Sequence, residues 1–358
     1  MRLLSGIAVL ILAAPAGAAP IDDLMATVAA EAKPLRADIE VLTGVSGPGI
    51  VSRSIHHPDL ALAEQWLLDE LEAIDGLEVW TDPVTVTVEL DGQDVEVSGL
   101  LNISAELPGA DPEAPMVLLG AHLDSTAKAS PGGWTATTDP APGADDDASG
   151  VAALLAIART LAGWEGGFER PVRFVFFTAE EVGLLGSGQY VDDLVAEDAD
   201  VAAMLQLDPV GYNGNFLDRL WFAWNAQWPE LRDQADAAAV AADTWLTVQG
   251  VDAELIGGDA RSDHWHFWQA GWPALHFGAF PPPPDYHKTT DTIDVVDVAF
   301  LAEVTRTLTW LTADLAGPLE PPPPVDEAGC ACAASPQAAP ARWLLLAPLA
   351  WVARRKRQ

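Results

Sequence analysis

Two histidines and several acidic residues, some of them just past apolar runs, give this chain a combination suited to divalent metal chemistry. His122 follows Met116-Val117-Leu118-Leu119-Gly120-Ala121, with Asp124 two residues on. A histidine at a strand exit can offer one ring nitrogen to a metal while a neighbouring carboxylate takes the proton on the other. Asp145-Asp146-Asp147 stand directly ahead of the small residues Ala148-Ser149-Gly150. Three adjacent carboxylates repel one another unless a helix N-terminus, or far more effectively a metal, supplies counter-charge. Glu180-Glu181 follow the apolar residues 172–177. Two neighbouring acids at a strand end can point apart, one toward a metal and one toward a water whose proton it takes. Asp208 follows Met204-Leu205-Gln206-Leu207, where a lone carboxylate would be costly to bury without a cation. His287 lies in the polar loop 284–292, after a run of prolines.

Taken singly, each stretch has a plainer reading: a rim histidine, an acidic helix cap, an exposed charged pair. Taken together, His122, His287, Asp208, one of the adjacent glutamates and one of the three adjacent aspartates form a nitrogen and oxygen set without thiolates. Such a set suits Zn²⁺, with Co²⁺ or Mn²⁺ as substitutes. Five ligands with one shared carboxylate can hold two ions about 3.5–4 Å apart.

The elements that must position these residues alternate between strand and helix. The spacing predicts one helical entry over 21–42, a second helix over 60–74, and a hairpin of 84–90 with 95–101 closed at Asp91-Gly92. Apolar strands are expected at 116–119, 172–177, 201–207 and 274–277, with an edge strand at 221–224. Helices are expected at 150–161, 230–242 and 296–315. This rhythm predicts a single α/β domain whose mainly parallel, mixed sheet is sandwiched by helices, with ligands collecting at the carboxyl ends of strands.

The 358 residues carry 18 Lys and Arg against 53 Asp and Glu, a formal net charge of −35. That balance argues against nucleic acid as a partner, since phosphate binding needs a basic surface. At the N-terminus, Arg2, the apolar residues 3–14 and Pro15-Ala16-Gly17-Ala18 have the order of a secretory signal cleaved after Ala18. The expected divisions are a signal peptide at 1–18, a catalytic domain at 19–317, a proline-rich linker at 318–329 and a C-terminal tail at 330–358. Both cysteines, Cys330 and Cys332, lie in that tail, so no disulfide is expected to staple the catalytic region. The tail continues with the apolar residues 343–353 and the basic cluster Arg354-Arg355-Lys356-Arg357.

His122-Leu123-Asp124-Ser125, Gly143-Ala144-Asp145-Asp146-Asp147-Ala148-Ser149-Gly150, Ala179-Glu180-Glu181-Val182-Gly183, Leu205-Gln206-Leu207-Asp208 and Tyr286-His287-Lys288-Thr289-Thr290-Asp291-Thr292 together resemble secreted bacterial double-zinc aminopeptidases, zinc metallopeptidase family twenty-eight. The resemblance covers residues 115–315. It implies that Asp146 bridges two zinc ions, with His122 and Asp208 on one and Glu181 and His287 on the other. It further implies Asp124 orienting His122, Glu180 as general base and Tyr286 steadying an oxyanion. Arg261-Ser262-Asp263-His264 resembles the loop lining the substrate pocket, with Arg261 and His264 as pocket residues. The implied partners are peptide substrates, cleaved at the N-terminus.

On the same fold, a carboxypeptidase would use Arg261 for the substrate carboxylate, and a glutaminyl cyclase would use one zinc. A non-catalytic surface binding module is a further alternative. The tail resembles myxosortase-type sorting signals, which imply a processing protease acting near Cys330 and an exported protein at the cell envelope or released. Of the other histidines, His276 reads as a strand residue, His56 and His57 as loop polar groups, and His266 as a possible pocket neighbour of His264.

Overall fold

The computed structural model describes residues 20–28, 32–90, 92–214, 217–256, 258 and 260–322. The expected signal peptide, the tail with its two cysteines, and Asp91 of the hairpin turn lie outside these residues.

Eight strands form one sheet in the order β1-β2-β4-β3-β5-β8-β6-β7. β3 (Met116–His122), β4 (Val172–Phe177), β5 (Val201–Leu207) and β8 (Ala274–Gly278) form its buried centre. Neighbouring strands within this group are all parallel. β1 (Glu78–Leu90) and β2 (Gln93–Leu107) make a long antiparallel hairpin joined to β4. It extends well beyond the expected 84–101 because half-polar alternation continues at both ends. On the other side, β6 (Arg219–Trp224) runs antiparallel to β8 and parallel to β7 (Thr247–Asp252). The edge strand expected at 221–224 is therefore internal. The true edge, β7, is short and only partly buried, and Gln249 and Gly250 blur its apolar pattern.

Both faces of the central strands are covered, which explains why they read as continuous apolar runs. Alternate residues go to opposite cores. Val117, Leu119 and Ala121 join one side, while Met116 and Leu118 join the other. The first core is closed by α2 (Ala32–Leu42), α3 (Leu60–Glu72), α4 (Ala148–Ala162), α6 (Pro229–Ala241) and α8 (Val298–Ala316). The second is closed by α5 (Leu185–Ala196) and α7 (His264–Ala270). The helical entry expected over 21–42 is two helices, α1 (Pro20–Thr27) and α2. Pro34 lies in the first turn of α2, the position where its missing N–H costs nothing.

α4 lies deep because its residues are small. Asp147 caps its start by accepting from the Gly150 N–H at 3.0 Å. A Cβ at Gly150 would come within 2.4 Å of the Leu207 carbonyl oxygen and 2.4 Å of the Asp147 carboxylate. Gly150→Ala is expected to destabilise the fold by about 1–3 kcal/mol through overpacking. A fall in the urea midpoint at unchanged m-value would register this, and an unaltered midpoint would show that the helix start can yield.

Candidate metal centre

Three adjacent parallel strands end at one sheet edge, and each delivers part of the site. His122 is the last residue of β3, Asp208 directly follows β5, and Glu180-Glu181 lie in the turn after β4. Asp146 comes from the loop preceding α4, and His287 from the loop after β8. The structure brings all five expected ligands together.

Asp146 stands between the two imidazoles. Its Oδ1 lies 3.1 Å from His122 Nε2 and its Oδ2 lies 3.2 Å from His287 Nε2. On the first side, His122 Nε2 is 3.4 Å from Asp208 Oδ1. On the second, His287 Nε2 is 3.0 Å from Glu181 Oε2. Two overlapping groups result, each with one imidazole and a share of Asp146. With Zn–N and Zn–O bonds near 2.0–2.1 Å, ligand atoms of a tetrahedral site stand about 3.3 Å apart, which these separations match.

The bonding around the groups supports the fit. Asp146 Oδ2 and Glu181 Oε1 are buried without a hydrogen-bond partner, as oxygens free to ligate a cation would be. Asp147 also lies close to His122 and Asp208. Both of its oxygens are committed, to the His122 and Gly150 N–H groups at 3.1 and 3.0 Å. That leaves Asp146 as the carboxylate able to join the two groups. The peptide between Asp146 and Asp147 is cis.

Asp124 lies beneath His122 as expected, but its role is divided. The His122 Nδ1–H donates to the Asp124 backbone carbonyl at 2.9 Å, while the Asp124 carboxylate is 3.8 Å from Nδ1. A carbonyl can only accept, so Nδ1 carries a proton and Nε2 is the nitrogen turned toward Asp146 and Asp208. The Asp124 carboxylate instead accepts from the Glu180 and Glu181 N–H groups at 3.0 and 3.2 Å, fixing the acidic turn.

The electrostatics of the cluster call for positive charge. Burial pushes the Glu180 carboxyl well up, and nearby Asp208, Glu181 and Asp263 push it further against the pull of His122. Burial works to lower both imidazoles, yet the surrounding carboxylates hold His122 well above its usual range and His287 at about 9. Divalent ions would satisfy the same acids without those protons. Tyr286 stacks on His287 with ring centroids 3.7 Å apart. Burial, with Asp146, Asp208, Glu181 and Glu180 around it, pushes its phenol far up, so it stays a neutral O–H donor.

The two expected pocket residues diverge. His264 is fully buried, packed between Trp268 at 4.5 Å and His276 at 4.6 Å, so it cannot line a pocket open to substrate. It opens α7, whose residues turn into the second core. Arg261 is exposed, its guanidinium 4.5 Å from the centre of the Phe280 ring. His276 is a strand residue, and its Nε2–H donates to the Asp208 carbonyl at 2.7 Å.

Sequence reasoning missed two residues that hold the centre in shape. Asp291 is buried and accepts from the Asp145 and Asp146 N–H groups at 2.9 and 3.1 Å. Arg53, also fully buried, donates to the carbonyls of Leu42, Leu123, Pro142 and Gly143 at 2.9, 2.7, 2.6 and 2.9 Å. Apart from Leu42, these partners lie 70 to 146 residues away and leave no local signal.

Fold and centre together define an α/β protein with a carboxylate–imidazole cluster able to hold metal at the carboxyl edge of a mixed sheet. Residues 102–312 match the family model described as Peptidase family M28, and the chain belongs to that family. It is 28% identical over 229 residues to a probable leucine aminopeptidase 1 of Trichophyton verrucosum (strain HKI 0517), covering 60% of this chain and 58% of that protein. The chain thus spans little more than half the length of this curated relative. Among solved structures, LapB from Legionella pneumophila aligns with a TM-score of 0.66 at 21% identity, over 83% of this chain and 74% of that one. The Porphyromonas gingivalis glutaminyl cyclase aligns with a TM-score of 0.63 at 21% identity, over 79% and 98%. At such identities the structural likeness establishes the fold alone.

Proposed function

We propose that the protein is a metal-dependent aminopeptidase that removes the first residue of peptides at a two-zinc centre. The observation that carries this reading is Asp146, whose two oxygens face His122 and His287 on opposite sides. The family, and the name of the Trichophyton relative, support the peptidase and N-terminal parts of the reading.

In this proposal His122 and Asp208 hold one ion, Glu181 and His287 the other, and Asp146 both. When bound, the pair would polarise the scissile carbonyl and acidify a water. Glu180, aimed inward from a turn fixed by Asp124, accepts the proton of the attacking water and returns it to the leaving amine. The Tyr286 hydroxyl donates to the oxygen on which negative charge develops. The crowd of acids draws in a free, positively charged N-terminus.

A cavity of about 410 Å³ opens beside Asp208, lined by Pro209, Tyr212, Leu220, Trp221, Phe280 and Pro284 among others. It would take the side chain of the residue removed. The protein is further proposed to be exported through residues 1–18 and processed near Cys330, with 19–317 as its catalytic part.

Chelation followed by metal return tests this function. With EDTA, hydrolysis of leucine p-nitroanilide should stop, and added Zn²⁺ should restore it, with elemental analysis finding two ions per chain. Chelator-resistant turnover would sink the proposal. One ion per chain, with no release of p-nitroaniline, would favour the single-zinc cyclase chemistry instead.

A further inference from the structure

A second cavity, of about 160 Å³, includes Glu181 and Asp124 in its wall. The larger cavity is lined by Pro209, next to Asp208, and by Pro284, two residues before Tyr286, and it shares no lining residue with the smaller. With the first side chain in the larger cavity, the smaller one, walled by Glu181 of the centre, is the space open to the leaving portion of a peptide.

Ile55, Leu90, Trp134 and Val182 give the smaller cavity an apolar part. Lys128 is its sole Lys or Arg among the described residues. The Lys128 ammonium lies 3.4 Å from Glu181 Oε2 and 3.3 Å from the Glu181 carbonyl, with 53% of its side chain exposed. It can therefore swing toward an incoming group while staying over the centre. Glu89 and His56 face the same space, and the Glu89 carboxylate disfavours an acidic side chain there. In a chain of net charge −35, a cation at this place stands out against the surrounding acids.

Resting on the aminopeptidase reading, we infer that this cavity is a leaving-side subsite for short peptides. Lys128 pairs with the free α-carboxylate of a dipeptide, and the apolar wall takes its second side chain. The substrate class is thus dipeptides with an apolar second residue rather than long chains, whose next peptide unit places no anion at Lys128.

The test compares kcat/KM for Leu-Leu and Leu-Leu-amide with the zinc-loaded full chain. The free acid should be favoured about fivefold, the upper range for an exposed ion pair. Lys128→Met should bring the ratio to about one, and Lys128→Arg should keep it. Any effect of Lys128 on Glu181 falls on both substrates alike, so the ratio isolates the carboxylate. A ratio near one in the unsubstituted protein, or a ratio unmoved by Lys128→Met, overturns the inference while the aminopeptidase reading stands. Absence of turnover on both substrates removes that reading, and this inference with it.

Discussion

Glu180→Gln is expected to lower kcat on leucine p-nitroanilide by roughly 10²–10⁴-fold, the range for losing a positioned general base. The amide fills the same space, but it cannot take a proton from water. Asp124 accepts from the N–H groups of residues 180 and 181, not from the Glu180 side chain, so the turn should keep its shape. Metal content should stay near that of the unsubstituted protein, because Glu180 Oε2 is 4.0 Å from His122 Nε2, outside the tighter contacts among the five ligands. Near-normal turnover with full metal content would remove Glu180 from the base role. A parallel loss of metal would recast it as a ligand.

The largest expected effect on stability belongs to Arg53→Ala. Four carbonyls from three segments would lose their donors in a place no solvent reaches. Breaking a buried, charge-assisted arrangement of this kind costs about 3–5 kcal/mol. Burial pulls the Arg53 pKa down, while Asp291, Asp147, Asp146 and Asp124 hold it up, so the cation also offsets the acids of the centre. Lys would rescue little, because its single ammonium cannot reproduce the guanidinium fork. Urea denaturation of the metal-free protein checks this, and a loss below about 1 kcal/mol would mean that the loops find other partners.

The strands that form the buried centre of the sheet were legible because burial on both faces demands uninterrupted apolar residues. Residues 172–177 and 201–207 match β4 and β5 end to end. α5 and α7 went unread. Gly186 and Gly188 weaken the helical signal of the first, and the second is only seven residues long. His264 was misplaced for a related reason. The Arg261-Ser262-Asp263-His264 stretch resembles a pocket loop, and only the packing of His264 against His276 of β8 and Trp268 of its own helix turns it inward.

The chain's own order of residues pointed to His122, the Glu180-Glu181 pair and Asp208, because an acid or imidazole placed just past a buried strand has nowhere to go but the strand's end. Tertiary structure alone decided how they are shared. Strand order sets β4 and β5 on either side of β3, which makes neighbours of His122, Glu181 and Asp208. The Asp147 carboxylate is taken up by its own helix cap and by the His122 N–H, which leaves Asp146 facing both imidazoles, and distant segments gave Asp291 and Arg53 their places. Those choices depend on contacts between residues far apart in the chain, and a local pattern of residue types holds no record of them.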